Sequence, residues 1–267
     1  MKKSAPTGMC GPFGDQALSI FGAFPDFAEL HASGFAGVVC EKPAVMIAMT
    51  PRTGSTHLCA ALAQTDGVAR PTEIFNPRGV LYEEAARRGV RLFADFMRSF
   101  NNDGGPCFFF KTSWQDFSPL AKFHNQIFPN LRVVYLERRD IIAQAVSLYR
   151  AAESGRWHVA RRDSAALAPD GMADTDLDLS RLSWWLGKIE EERRGWRRFF
   201  ATDAIAPLLL YYEDFSTDIS RAVAAIAEYL QLPLKTEIGP DVGFHRLADG
   251  VSAAWVARAR QHVLRMT

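Results

Sequence analysis

Val45-Met-Ile-Ala-Met-Thr-Pro-Arg-Thr-Gly-Ser-Thr-His-Leu58 is the stretch that decides how this chain is read. The apolar run from Ala44 to Met49 has the composition of an inner strand in a parallel sheet. Thr50, Pro51 and Gly54 are turn residues. Ser55 and Thr56 suit the start of a helix, and Leu58, Ala61 and Leu62 continue at helical spacing. A loop that feeds a strand into a helix N-terminus aims several backbone N–H groups at one point, and that point favours an anion. Arg52 adds a permanent charge with a forked donor geometry. The stretch is not the nucleotide-triphosphatase loop, because no Lys follows Gly54.

Strand and helix signals alternate downstream. Tyr82 to Phe100 reads as one amphipathic helix, closed by the breaker cluster Asn101 to Pro106. Cys107 to Phe110 reads as a second inner strand, Leu120 to Phe128 as a helix, and Leu131 to Leu136 as a third strand. Helical spacing follows over Ile141 to Ala152, and residues 161–178 read as a surface loop or lid. Leu179 to Phe200 is a long helix, Leu208 to Tyr212 a fourth strand, and Ser220 to Leu230 and Ala253 to Met266 are the last helices. The alternation predicts an α/β fold, a single-domain three-layer sandwich around a central, mostly parallel sheet. Residues 1–43 are rich in Gly, Pro, Phe and Ala and read as an N-terminal extension. The catalytic domain is expected over residues 44–267.

Composition narrows the function classes. The 267 residues are 48% hydrophobic, enough for a sizeable core. A formal net charge of +1 gives no global case for nucleic-acid binding. Cys10, Cys40, Cys59 and Cys107 are scattered without a CxxC pair, which fits free thiols in a reducing compartment. No apolar run reaches transmembrane length. A cytoplasmic protein is the expectation. No His/Cys/Asp/Glu cluster has metal-ligand spacing, so no metal is expected.

The third strand ends in Glu137-Arg-Arg-Asp140, and Gln144-Ala-Val-Ser147 lies on the helix behind it. Basic residues at the carboxyl end of a parallel strand face the ligand crevice. Arg138, Arg139 and Ser147 are therefore candidates to hold a phosphate, with a solvated turn as the plain alternative. Trp184, Trp185 and Trp196 are spaced as a core-facing stripe, with sugar stacking as the other reading.

Taken in order, Pro51-Arg-Thr-Gly-Ser-Thr56, Arg70-Pro-Thr-Glu-Ile-Phe75 and Arg138-Arg-Asp140 with Gln144-Ala-Val-Ser-Leu-Tyr-Arg-Ala151 make a pattern. It resembles the bacterial carbohydrate sulfotransferase family typified by trehalose 2-sulfotransferase, which uses 3′-phosphoadenosine-5′-phosphosulfate (PAPS). Phe110-Lys-Thr-Ser-Trp114, Glu192-Arg-Arg-Gly-Trp-Arg-Arg-Phe199 and Phe244-His-Arg-Leu-Ala-Asp249 agree with further segments of that family. The resemblance runs from residue 44 to about 260. The extension lies outside it, and the segment between Pro77 and Cys107 departs from it.

The resemblance implies a P-loop-like sulfotransferase fold and transfer of a sulfuryl group from PAPS to a carbohydrate or glycolipid hydroxyl. It implies that Arg52, Thr53, Gly54, Ser55 and Thr56 bind the 5′-phosphosulfate. Arg138 and Ser147 would hold the 3′ phosphate, with Arg246 near the nucleotide. Arg139 sits where the family is not basic. Glu73 matches the family's general base, and Lys111 would meet the bridging oxygen or the sulfuryl group. His57 is an alternative base that the family lacks. A homodimer is implied as well, and the acceptor is left open. The competing readings are a P-loop-like nucleotide or sugar kinase and a non-catalytic module that binds PAPS or its product, 3′-phosphoadenosine-5′-phosphate (PAP).

Overall fold

The computed structural model describes residues 20–157, 171–239, 242 and 249–266. Four parallel strands form one sheet in the order β2-β1-β3-β4. They are β1 (Ala44–Met49), β2 (Phe108–Ser113), β3 (Leu131–Glu137) and β4 (Leu208–Tyr211). Every residue of β1 and β2 is buried, which explains their near-continuous apolar runs.

Period-two alternation divides the sheet into two faces. Met46, Ala48, Phe110, Val133 and Tyr135 point into one core with α1 (Ile20–Ala23), α2 (Phe27–Ser33) and several elements that follow β1. Val45, Ile47, Phe109, Val134 and Leu136 point into the other, covered by α3 (Ser55–Leu62). With both faces covered, the molecule has three layers.

The region expected as one helix over residues 82–100 is two helices, α4 (Val80–Arg87) and α5 (Phe93–Ser99). Gly89, at φ 67°, takes the left-handed conformation that ends α4, and the N–H groups of Gly89 and Val90 bond back to Ala86 and Ala85. Strand β2 extends through Ser113, and α6 (Trp114–Ala121) follows at once, followed by α7 (His124–Ile127). The helix expected from Leu120 thus begins earlier, because Ser113 caps it by accepting from Asp116 N.

Two long helices, α8 (Ile141–Ser154) and α9 (Leu179–Thr202), build a third cluster. The chain then runs through β4, α10 (Tyr212–Phe215) and α11 (Ile219–Leu230), which packs beside α3, and ends in α12 (Gly250–Met266). At the start of α12, Arg150 of α8 grips the Asp249 carboxylate with both Nη atoms. Of the segment expected as a surface loop, residues 161–170 lie outside the described residues. Within the rest, Asp174–Asp176 forms a single helical turn.

The described part of the N-terminal extension packs on this same core. Phe24, Phe27 and Phe35 are buried against Phe93 and Phe96 in edge and tilted ring contacts. Asp26 accepts from the N–H groups of Phe93 and Ala94 and so closes the start of α5. No described helix is long and apolar enough to cross a membrane.

Of the three tryptophans on α9, Trp185 and Trp196 are buried and Trp184 is 44% exposed. Trp196 donates to Met49 O at the last residue of β1. One turn of α9 is shaped for Trp114. A Cβ on Gly195 would lie 2.2 Å from that indole, so only glycine lets α6 and α9 approach this closely.

Candidate active site

Chain connections diverge at the β1–β3 boundary, since β1 leads outward to β2 and β3 leads the opposite way to β4. In such sheets ligands bind at that boundary, beyond the carboxyl ends of the strands. The two anion-site candidates from the sequence leave the sheet there, one after β1 and one after β3.

The first is the loop from Thr50 to Gly54. Thr53 Oγ1 donates to Thr50 O at 2.8 Å and closes the turn. Arg52 and Gly54 both take positive φ, 69° and 77°. For Arg52 this is an uncommon backbone state that the surroundings must hold in place. For Gly54 it is a requirement of space as well, because a Cβ would sit 2.8 Å from the Tyr212 ring. Ser55 and Thr56 then open α3, whose cap position, Gly54, offers its first-turn amides no side-chain acceptor.

The Arg52 side chain leads to the second candidate. Its Nε donates to Ser147 Oγ at 2.9 Å, and Nη1 donates to Trp157 O at 2.5 Å. Burial, and next the neighbouring Arg138 guanidinium, push Arg52 below its ordinary pKa. Two guanidiniums held close enough to disfavour each other's charge make a pocket that an anion would relieve.

Arg138 stacks over the Tyr212 ring at 4.8 Å, with Nε 4.0 Å from Glu213 Oε1. Glu213 also accepts from the N–H groups of Arg139 and Asp140, which fixes the turn after β3. Arg139 points elsewhere. It forms a bidentate pair with Asp214 at 2.6 and 2.7 Å and lies over Tyr211 at the half-exposed rim. Neighbouring arginines in the sequence thus take separate tasks.

Glu73 and Lys111 meet. Lys111 Nζ lies 2.9 Å from Glu73 Oε1 and donates to Thr56 Oγ1 at 3.0 Å. The same Lys is pinned through its backbone, where its N–H donates to Thr72 O. Lys111 is buried, while Glu73 keeps about a quarter of its side-chain surface open, at 27%. Thr56 therefore joins the acid–lysine pair to the loop that carries Arg52. Of the two neighbours at the start of α3, Thr56 has its hydroxyl on Lys111. Arg246 lies outside the described residues.

Three further side chains, Asn76 and Asp116 by the pair and Glu192 at the start of α6, have no role assigned from the sequence. Asn76 Nδ2 donates to Glu73 Oε2 at 2.8 Å and orients the carboxylate. Asp116 is held by Ser113 Oγ at 2.8 Å, and burial pushes its pKa up to about 7 against that hydrogen bond, with Glu73 adding to the rise. Glu192 reaches from α9 to accept from the N–H groups of Trp114 and Gln115 at 2.7 and 2.9 Å. Burial raises it to about 7 as well, opposed by those two N–H groups. The only sequence signal for Asp116 was its place three residues after Ser113, an ordinary capping spacing.

The chain is similar to known proteins. The family model described as Stf0 sulphotransferase matches residues 111–262. The chain belongs to the Stf0 sulphotransferase family. The matched residues include Lys111, Arg138 and Ser147. The loop after β1 and Glu73 precede them and are placed by the structure.

Trehalose 2-sulfotransferase from Mycobacterium tuberculosis is 26% identical over 136 residues, covering 50% of this chain and 47% of that protein. The protein of the same name from Mycolicibacterium smegmatis is 25% identical over 136 residues, with the same coverage. The match spans about half the length of these curated relatives. A crystal structure of a sulfotransferase from Alicyclobacillus acidocaldarius aligns at a TM-score of 0.45 and 15% identity, over 84% of this chain and 96% of that one.

Proposed function

We propose that this Stf0 sulphotransferase moves the sulfuryl group of PAPS to a hydroxyl of a carbohydrate or glycolipid acceptor, with Glu73 as general base. The observation that carries this reading is one continuous chain of contacts. It runs from Ser147 through Arg52 and the loop to Thr56, Lys111 and Glu73. A donor with phosphate at one end and sulfuryl at the other needs cationic and N–H donors at both ends and a base beyond the sulfuryl group.

In this scheme Arg138 and Ser147 take the 3′ phosphate, while Arg52, Thr53, Gly54, Ser55 and Thr56 take the 5′-phosphosulfate. The acceptor hydroxyl gives its proton to Glu73 as its oxygen bonds to sulfur. The bond between sulfur and the bridging oxygen breaks, and PAP leaves with that electron pair. Lys111, already on Thr56, supplies positive charge where the leaving oxygen becomes negative. Asn76 keeps Glu73 turned towards its work. A sugar acceptor is supported by the relatives' name, trehalose 2-sulfotransferase, and by a base that a weakly nucleophilic hydroxyl requires.

Glu73→Gln tests the scheme. PAP binding is expected to persist, and sulfuryl transfer to fall by ~10²–10⁴-fold, the usual contribution of a positioned base. Transfer at the wild-type rate would remove Glu73 from that role. Stabilisation by MgATP, with none by PAP, would turn the reading to a kinase.

A further inference from the structure

We propose that Gln144 and Arg193 are positioning residues that set the spacing between the 5′ loop and the turn carrying Arg138. They thereby set the preference for a nucleotide phosphorylated at both its 5′ and 3′ positions. This rests on the PAPS reading above.

The sheet does not hold these two segments together by itself. The β1–β3 ladder ends at the pair Met49 and Leu136, and the loop after β1 and the turn after β3 lie beyond it. Past that point their backbones are joined through side chains. Gln144, on α8, is fully buried. Its Nε2 donates to Thr50 Oγ1 and to Pro51 O, both at 2.7 Å. The Pro51 carbonyl can only accept, so the amide orientation is forced and Oε1 must face the other way.

There Oε1 accepts from Arg193 Nη2 of α9 at 3.2 Å. That same nitrogen donates to the carbonyl of Arg138. The result is a chain of contacts from Pro51 O through Gln144 and Arg193 to Arg138 O. Its middle member, Gln144, is shut off from solvent.

Ser147 lies three residues on, on the same face of α8, and accepts from Arg52. One helix thus touches the 5′ loop twice, below through Gln144 and at the ligand side through Ser147. Hydrogen bonds that share Gln144 and Arg193 in this way narrow the geometry the two segments can take. Changing it moves one phosphate anchor relative to the other. A nucleotide bound at both anchors senses that change, whereas one bound through a single phosphate does not. A brace with a purely structural role would affect both nucleotides alike.

The test compares PAP and 5′-AMP by titration calorimetry on wild type, Gln144→Glu and Arg193→Lys, each checked for folding by its melting curve. Gln144→Glu keeps the acceptor for Arg193 and removes the donors to Thr50 and Pro51. Arg193→Lys keeps the charge and loses the fork. Each is expected to weaken PAP by about tenfold, less than the ~10²-fold in rate that a 1 Å misplacement can cost, and to leave 5′-AMP nearly unchanged. In a sulfuryl-transfer assay the KM for PAPS should rise more than kcat falls. A wild-type preference for PAP that survives both substitutions overturns the brace alone, as does a parallel loss of both nucleotides. A wild type that binds PAP and 5′-AMP equally overturns the nucleotide reading and the brace with it.

Discussion

Two helices begin at the carboxyl edge of the sheet directly after neighbouring strands, and their first turns are treated in opposite ways. Helix α6, after β2, is closed twice from within. Ser113 caps it, and the Glu192 carboxylate accepts from its first two N–H groups. Helix α3, after β1, starts at Gly54, which has no side chain to offer, and Arg52 and Arg138 stand nearby. At α6 the protein supplies its own carboxyl acceptor and the terminus is structural. At α3 it supplies cations instead, and in the proposed function the anion comes from a ligand. Identical backbone chemistry at two helix starts thus becomes either scaffold or site, according to what the rest of the chain brings to it.

Arg52→Ala attacks the contrast at the α3 end and carries the largest expected effect. One charge-assisted contact is worth roughly 1.5–3 kcal/mol, so PAP affinity should fall by about 10- to 100-fold in calorimetry. The melting temperature should hold or rise, because a buried guanidinium repelled by Arg138 has been removed. A lower melting temperature with PAP affinity intact would make this end structural too.

Glu192→Ala attacks the α6 end and should do the reverse. Two buried N–H groups lose their acceptor, costing roughly 1–3 kcal/mol. The melting temperature should drop by on the order of 2–4 °C for each kcal/mol. PAP affinity of the folded protein should be unchanged. Lost PAP binding in a protein that melts normally would erase the distinction between the two helix starts.

The smallest effect sharpens the comparison through pH. The folded chain holds the Asp116 proton up to about pH 7, whereas the unfolded chain releases it near 3.8. Glu192 behaves alike, from 4.5 to about 7. Between those values the folded state binds more protons, so stability is highest below the unfolded values and declines as pH rises towards 7. Asp116→Asn should flatten that decline. Asp116 keeps part of its surface in water, so the gain at pH 8 should be on the order of 1 kcal/mol. Melting curves from pH 4 to 8 read it directly, and equal slopes in wild type and variant would reject it.

Much of the fold was legible because β1, the first half of β2 and most of β3 are buried on both faces and so read as apolar runs. The errors have local causes. Gly89 splits a helical pattern whose apolar residues remain in phase on both sides of the break. Ser113 begins a helix where Lys111-Thr-Ser113 looks too polar to belong to a strand. The loop residues, Glu73, Lys111, Arg138 and Ser147 were all visible as motifs. Asn76 and Asp116 were not, and Glu192 and Arg193 stood in a quoted segment without a role, since each acts on a partner that is near in space and far from any spacing signal.

The sequence by itself determined the alternation of strands and helices, the strand–loop–helix with Arg52 and Gly54, and the candidates at the strand ends. These depend on neighbours along the chain, where spacing and residue type settle local geometry. Only the tertiary structure decided that Arg138 turns inward over Tyr212 while Arg139 turns out to Asp214. It alone joined Lys111 to both Glu73 and Thr56, and it alone linked Gln144 and Arg193 between the loop after β1 and the turn after β3. Those choices depend on which segments far apart in the chain pack together. Hydrogen-bond partners and charge neighbours across the core are set by that packing and leave no period or spacing in the sequence.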